Sequence, residues 1–204
     1  MKKRYYFLWS FFLLIFLIAG VIFAISFFKF LSVKKTISAL PEYSSEEYLR
    51  IKIYGSSYND DGNTISGNFS LINENGLEIA VIERSWSGSY LAVDFEEIKM
   101  ADKSFSFPEK IYGRDELLQY SHKPNKGTSL GKYYNENGEF ILLGNNSTKM
   151  LRKKYYKIAS FALGKNIFSL KYKKTVTIDL SSCINGKYYS IVRVPSGNYL
   201  LREL

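Results

Sequence analysis

The chain has almost none of the residues on which metal and redox chemistry are built. One cysteine, Cys183, and one histidine, His122, occur in 204 residues. A lone thiol cannot form an intramolecular disulfide, and it rules out paired-cysteine zinc and redox motifs. A single imidazole excludes a histidine-rich metal site, and any Ser-His-Asp triad would have to use His122 as its base. His122 lies beside Lys123, Pro124 and Lys126, which reads as an exposed basic loop. Cys183 follows Ser181-Ser182 between two expected strands and reads as a small buried thiol. The glycine pattern of a dinucleotide-binding turn is missing too. Gly127-Thr128-Ser129-Leu130-Gly131-Lys132 imitates a phosphate loop and fails on spacing. Three residues separate its glycines where four are needed, and Tyr133 follows the lysine where Ser or Thr would hold magnesium. The residues imply no metal and no cofactor.

Charge is missing where its absence says most. From Tyr5 to Phe28 there is not one charged side chain. As a helix that stretch is about 36 Å long at about 1.5 Å per residue, against about 30 Å of bilayer hydrocarbon. In lipid the backbone must satisfy its own hydrogen bonds, so the poor intrinsic helix propensity of the β-branched and aromatic residues is overridden. Lys2, Lys3 and Arg4 precede the stretch, Lys29, Lys34 and Lys35 follow it, and Tyr5, Tyr6 and Trp9 fall where an interfacial aromatic belt sits. Ala24-Ile25-Ser26 would pass as a signal-peptide cleavage site, but the apolar run exceeds the roughly 7–15 residues of such a region. No cysteine follows the run, which excludes a bacterial lipid anchor there. The expected organisation is therefore a tail at 1–4, a membrane helix at 5–28 contacting the lipid bilayer, a juxtamembrane tether at 29–41, and one domain at 42–204. Basic residues flank the helix evenly, and the four-residue tail adds the amino terminus. That favours an N-terminus in the cytoplasm and a domain outside.

Acidic residues are unevenly placed. Residues 1–35 hold six basic and no acidic side chains, 36–140 ten basic and seventeen acidic, and 141–204 twelve basic and two acidic. The formal charge of +9 is thus a polarised distribution and not the signature of a nucleic-acid binder. It suggests either two halves that neutralise each other or a basic C-terminal part facing anionic lipid or an envelope polymer.

Beyond the apolar stretch, the pattern is α+β: mainly antiparallel strands with one long packed helix. Ser44-Ser45-Glu46-Glu47 has capping-box spacing. Ile51–Tyr54 reads as a first strand ended by Gly55, and Ser56–Asn63 as a loop. Thr64–Ile72 and Leu77–Arg84 flank Asn73-Glu74-Asn75-Gly76, a turn in which Asn-Gly supplies positive φ. Ser85–Gly88 reads as a reversal into Tyr90–Met100, then a turn at Ala101-Asp102-Lys103 into a strand closed by Pro108. These four would form a meander whose strand at Ile79–Ile82, without clean alternation, is covered on both faces. Arg114–Tyr120 has a short helical pattern, and a second Asn-Glu-Asn-Gly turn at 135–138 joins a hairpin. Ser147–Leu163 is the best helix of the domain, capped by Asn146 or Ser147 and ended by Gly164. Leu151, Tyr155, Ile158 and Ala162 share one face. Strands follow at Ile167–Tyr172, Thr175–Leu180, Lys187–Val194 and Tyr199–Arg202.

Candidates for chemistry are few. Glu83 and Asp94 are carboxylates on neighbouring strands that would approach if those strands pair through the Ser85–Gly88 turn, as acid–base work on a sugar requires. Trp86, in that turn, suggests a sugar-stacking platform or a core plug. Lys149, Lys153 and Lys157 recur at i, i+4, i+8 on the helix face opposite the apolar one, as a solvated face or an anion-binding stripe. The reading these support is a membrane-tethered envelope binding module without catalysis; the alternative is a tethered hydrolase of envelope polymers using Glu83 and Asp94.

Overall fold

The computed structural model describes residues 2–41, 47–59, 62–115, 127–194 and 196–204, with the side chains of 2–8, 10, 59 and 136 excepted. The chain begins with an apolar helix and continues into two antiparallel sheets and a further helix, an α+β architecture. His122 and Leu117-Leu118 lie outside the described residues, as does Ser44 of the capping-box pattern.

Helix α1 (Lys2–Ser38) is continuous over 37 residues, about 56 Å at about 1.5 Å per residue. It is the one helix among the described residues long and apolar enough to cross a membrane. It does not end where its charge-free stretch ends. Residues expected as a tether continue the helix to Ser38 and enter the core, where Val33, Ile37 and Leu40 are buried. Val33 and Ile37 fall at i and i+4 on one face of the helix, and Leu40, two residues past its end, joins the same core. The last carbonyls of such a helix have no intrahelical partner. Lys103 supplies one: its Nζ donates to the carbonyls of Ile37 (3.4 Å), Ser38 (3.0 Å) and Leu40 (2.5 Å).

The first sheet contains β1 (Glu47–Asn59), β2 (Gly62–Ile72), β3 (Glu78–Ser87), β10 (Tyr188–Arg193) and β11 (Tyr199–Glu203), in the order β11-β10-β1-β2-β3. The second contains β4 (Tyr90–Met100), β5 (Lys103–Arg114), β6 (Thr128–Ser129) and β9 (Lys173–Asp179), in the order β6-β5-β4-β9. The two layers meet through large rings. Phe95 of β4 lies 5.4 Å from Tyr48 and 4.6 Å from Tyr199, both in the first sheet. The other face of the second sheet is partly covered by α3 (Lys149–Leu163) and by the small hairpin β7 (Asn135–Glu136) and β8 (Glu139–Phe140). Phe105 packs on Tyr155 and Phe107 on Phe140, with centroids 5.8 and 5.6 Å apart. A four-residue helix, α2 (Gly131–Tyr134), buries Tyr134 under the same layer.

Several expected boundaries move, each for a physical reason. The loop expected at Ser56–Asn63 is instead the end of a long β1–β2 hairpin: cross-strand pairing runs out to Asn59 and Gly62, with a bulge that leaves Tyr54 as the extra residue. The expected four-strand meander breaks between β3 and β4. A reversal at Gly88 and Ser89 sends the chain from the first sheet into the second, so β3 is an edge strand and Val81 is 50% exposed. The layers come so close at this corner that a Cβ on Gly113 would sit 2.1 Å from the Ser87 carbonyl oxygen. Pro108 does not close β5. It lies opposite Phe95 at a register shift that leaves Glu109 as the extra residue, and a bulge is where a strand tolerates proline. At Ala101-Asp102, φ is +52° and +59°, so two non-glycine residues take the left-handed turn that joins β4 to β5. The cap of α3 is Thr148, whose hydroxyl accepts from Leu151 N at 3.3 Å, not Ser147 or Asn146. Ile167–Tyr172 is not a strand. Asn166 Oδ1 accepts from Phe168 N at 2.9 Å and starts a 3₁₀ turn at Ile167–Ser169.

Candidate functional site

The structure separates the two carboxylates that the sequence placed together. Glu83 is exposed on the edge strand β3, paired across to Asn68. Asp94 is 5% exposed and belongs to β4 of the other sheet. Its neighbour Phe95 points at the first sheet, so by strand alternation Asp94 points away from it. The expected approach required β3 and β4 to pair, and they do not. Trp86 fills the core: it is 5% exposed, meets Phe69 edge-on at 5.4 Å, and its Nε1 donates to Thr128 Oγ1 at 3.1 Å.

Asp94 has other acidic company. On the same face of β4, two residues on, Glu96 is 6% exposed, and Glu109 stands at the β5 bulge beside both. This cluster is not visible as a motif, because it depends on strand period and on a bulge. Two of its members are engaged by their own sheet. Asp94 Oδ1 accepts from Tyr112 Oη (3.0 Å) and Thr177 Oγ1 (2.7 Å), and Lys110 Nζ lies 3.7 Å from Oδ2. Glu96 accepts from Thr175 Oγ1 at 2.5 Å and pairs with Lys173 at 3.3 Å. Burial raises the Glu109 carboxyl above the usual range, and the negative charges of Glu96 and Asp94 raise it further. Burial, then the Asp94 charge, likewise raises the Tyr112 phenol. Among the described residues, no group of three His, Cys, Asp or Glu side chains is placed to hold a metal ion.

The three lysines of the α3 stripe meet different fates. Lys149 is well exposed and lies 3.5 Å from Glu139, a carboxylate also bound by Arg152 Nε at 2.8 Å. Lys153 is exposed. Lys157 turns toward α1 and donates to Ser32 Oγ. There it joins Lys29 and Lys165 around a groove of about 850 Å³ between α1 and α3. Sequence reading missed this groove because it is built from two helices more than a hundred residues apart. The signal that could have found it is the basic pair Lys29, directly after the charge-free stretch, and Lys165, just past the Gly164 that ends α3.

Cys183 is half-buried, and burial, with the Asp179 charge, pushes its thiol up to about 11. At neutral pH it is a thiol and not a nucleophilic thiolate. No protein-family model, no curated protein and no solved structure matches this chain.

Proposed function

We propose that this chain is a single-pass membrane protein whose domain stands outside the cell and works as a binding module for an anionic partner in the envelope. The observation that carries this reading is the junction of α1 with the domain. The helix passes from its charge-free stretch into the core without a break, and its end is held by Lys103 and by Tyr155 Oη, which donates to the Pro41 carbonyl at 2.7 Å. A domain joined in this way stays against the bilayer, with its orientation fixed. The run Lys2-Lys3-Arg4 directly before the stretch, against the more widely spaced Lys29, Lys34 and Lys35 after it, supports an external domain. The exposed lysines of α3 and the basic C-terminal third support an anionic partner. A binding role fits the fate of the hydrolase candidates: Glu83 and Asp94 are apart, Trp86 is core, and Asp94 and Glu96 are held by hydroxyls and lysines of their own sheet.

The test combines topology with binding. A C-terminal tag should be removed by protease added to spheroplasts, and the mature chain should have its full mass. The extracted full chain should sediment with an insoluble anionic envelope polymer, and Lys149→Glu with Lys153→Glu should weaken that by at least tenfold. A protease-protected tag would place the domain in the cytoplasm and end the envelope reading. A chain shortened near Ser26 would show that α1 is processed.

A further inference from the structure

The groove between α1 and α3 joins basic side chains to apolar walls. Ile25, Phe28, Val33 and Phe161 line it together with Lys29, Lys157 and Lys165, and none of its described lining residues is acidic. Its volume of about 850 Å³ lies within the roughly 300–1,000 Å³ of ligand pockets. One wall is the turn after α3, and this turn reaches back along α1. Phe168 packs on Phe23 at 5.2 Å and on Phe27 at 5.7 Å, and Asn166 Nδ2 donates to the Ser26 carbonyl at 3.5 Å. Phe23 lies about 7.5 Å, at about 1.5 Å per residue, inside the end of the charge-free stretch. At that level the turn also presents Ile167 and Leu170, 68% and 71% exposed, with Lys165 and Lys171 beside them. Exposed apolar tips flanked by lysines fit the boundary between acyl chains and head groups.

We infer that this groove binds an anionic phospholipid from the leaflet that the domain touches. The phosphate head lies among Lys29, Lys157 and Lys165. The acyl chains run along Ile25 and Phe28, and Ile167 and Leu170 enter the bilayer beside them. The inference rests on α1 crossing a membrane, and does not depend on which side the domain occupies. A soluble polyanion would have no use for the apolar walls or for the turn. A membrane lipid uses the lysines, the walls and the turn together.

The experiment is native mass spectrometry of the full chain released from nanodiscs holding equal amounts of phosphatidylglycerol and phosphatidylcholine. The expected result is one retained phosphatidylglycerol in clear preference to phosphatidylcholine. The double variant Lys29→Gln, Lys165→Gln should reduce that preference about 25-fold, from the usual worth of a lysine at a charged membrane surface. Lys99→Gln with Lys174→Gln, exposed lysines outside the groove, should leave it unchanged. Independently, Ile167→Asp with Leu170→Asp should weaken retention while melting of the domain is preserved. Equal retention of the two lipids, equal loss in both lysine variants, or displacement by soluble glycerol phosphate at the concentration of the lipid would each overturn the inference. If carbonate washing strips the chain from membranes, the single-pass reading fails and takes this site with it. If the chain stays in the membrane without lipid preference, only the groove assignment fails.

Discussion

The two ends of α1 are one helix with two different surfaces. Upstream, large apolar side chains point outward on every side: Phe12, Leu13, Phe16 and Ile18 are each at least half exposed. Downstream, the apolar residues narrow to Val33, Ile37 and Leu40, all buried, while Lys34, Lys35 and Ser38 between them stay exposed. A helix apolar all round needs a medium that is apolar all round, whereas a narrow stripe needs only one protein surface. The change from an apolar surface on every side to a single buried stripe thus falls within a few residues of Phe28, where the groove and the turn at Ile167 also lie.

The sharpest way to break this comparison is to make the same change at both ends. Ile37→Ala should lower the stability of the domain by about 2–5 kcal/mol, the usual cost of such a cavity. Ile18→Ala should change it by less than about 0.5 kcal/mol, as for a side chain outside the folded core. Denaturant titration of the full chain in mild detergent, with Trp9→Phe so that Trp86 alone reports by fluorescence, reads both. Equal losses would mean that the upstream helix also packs on the domain.

A second substitution separates docking from burial. Lys103→Met removes the charged donor that holds the last carbonyls of α1 and should cost about 1.5–3 kcal/mol, as for hydrogen bonds to charged groups. Lys34→Met, on the exposed side of the same helix, should fall within about 0.5 kcal/mol of wild type. If Lys103→Met is neutral, water replaces that cap and the junction is softer than its geometry implies.

How much could be read in advance follows the same division. The apolar stretch, the α+β class and the buried face of α3 were legible, since each depends on local period alone. The spacing of Val33, Ile37 and Leu40 was equally regular but was hidden by its neighbours: next to so strong an apolar run, three residues among lysines read as a tether. The long β1–β2 hairpin, the crossing between sheets at Gly88 and the bulge at Glu109 are tertiary choices among locally similar chains. The carboxylate cluster and the groove inherit that invisibility, because each needs partners from distant segments. Asp94 could be named, but not the company it keeps.

Helix α3, buried along one face only, offers a smaller contrast with α1. Its first turn depends on a cap that lipid cannot replace. Thr148→Ala should cost about 1 kcal/mol. Asn146→Ala, which loses only a surface contact to Asn75 at 3.2 Å, should cost less. The reverse order would return the cap to the position expected from sequence.

The comparison extends last to charge. The stretch of α1 from Tyr5 to Phe28 carries none, while the domain accepts buried Asp94 and Glu96 because hydroxyls and lysines surround them. Glu109 is the least well matched of the three. Its carboxyl is raised first by burial and then by the charges of Glu96 and Asp94, with Lys110 and Lys173 opposing them. A raised carboxyl means that the folded state holds the proton more tightly than the unfolded chain. Its cost to stability is therefore absent below the unfolded value, about 4.3, grows as pH rises through the folded value, and is complete above it. Glu109→Gln should thus stabilise the domain at pH 7.5 and make little difference near pH 4, as read from urea midpoints at the two pH values. A gain of the same size at both would trace to packing and not to charge. A loss at pH 7.5 would show that ionised Glu109 is held by a favourable partner, and would return this cluster to the list of places where acid–base chemistry is worth seeking.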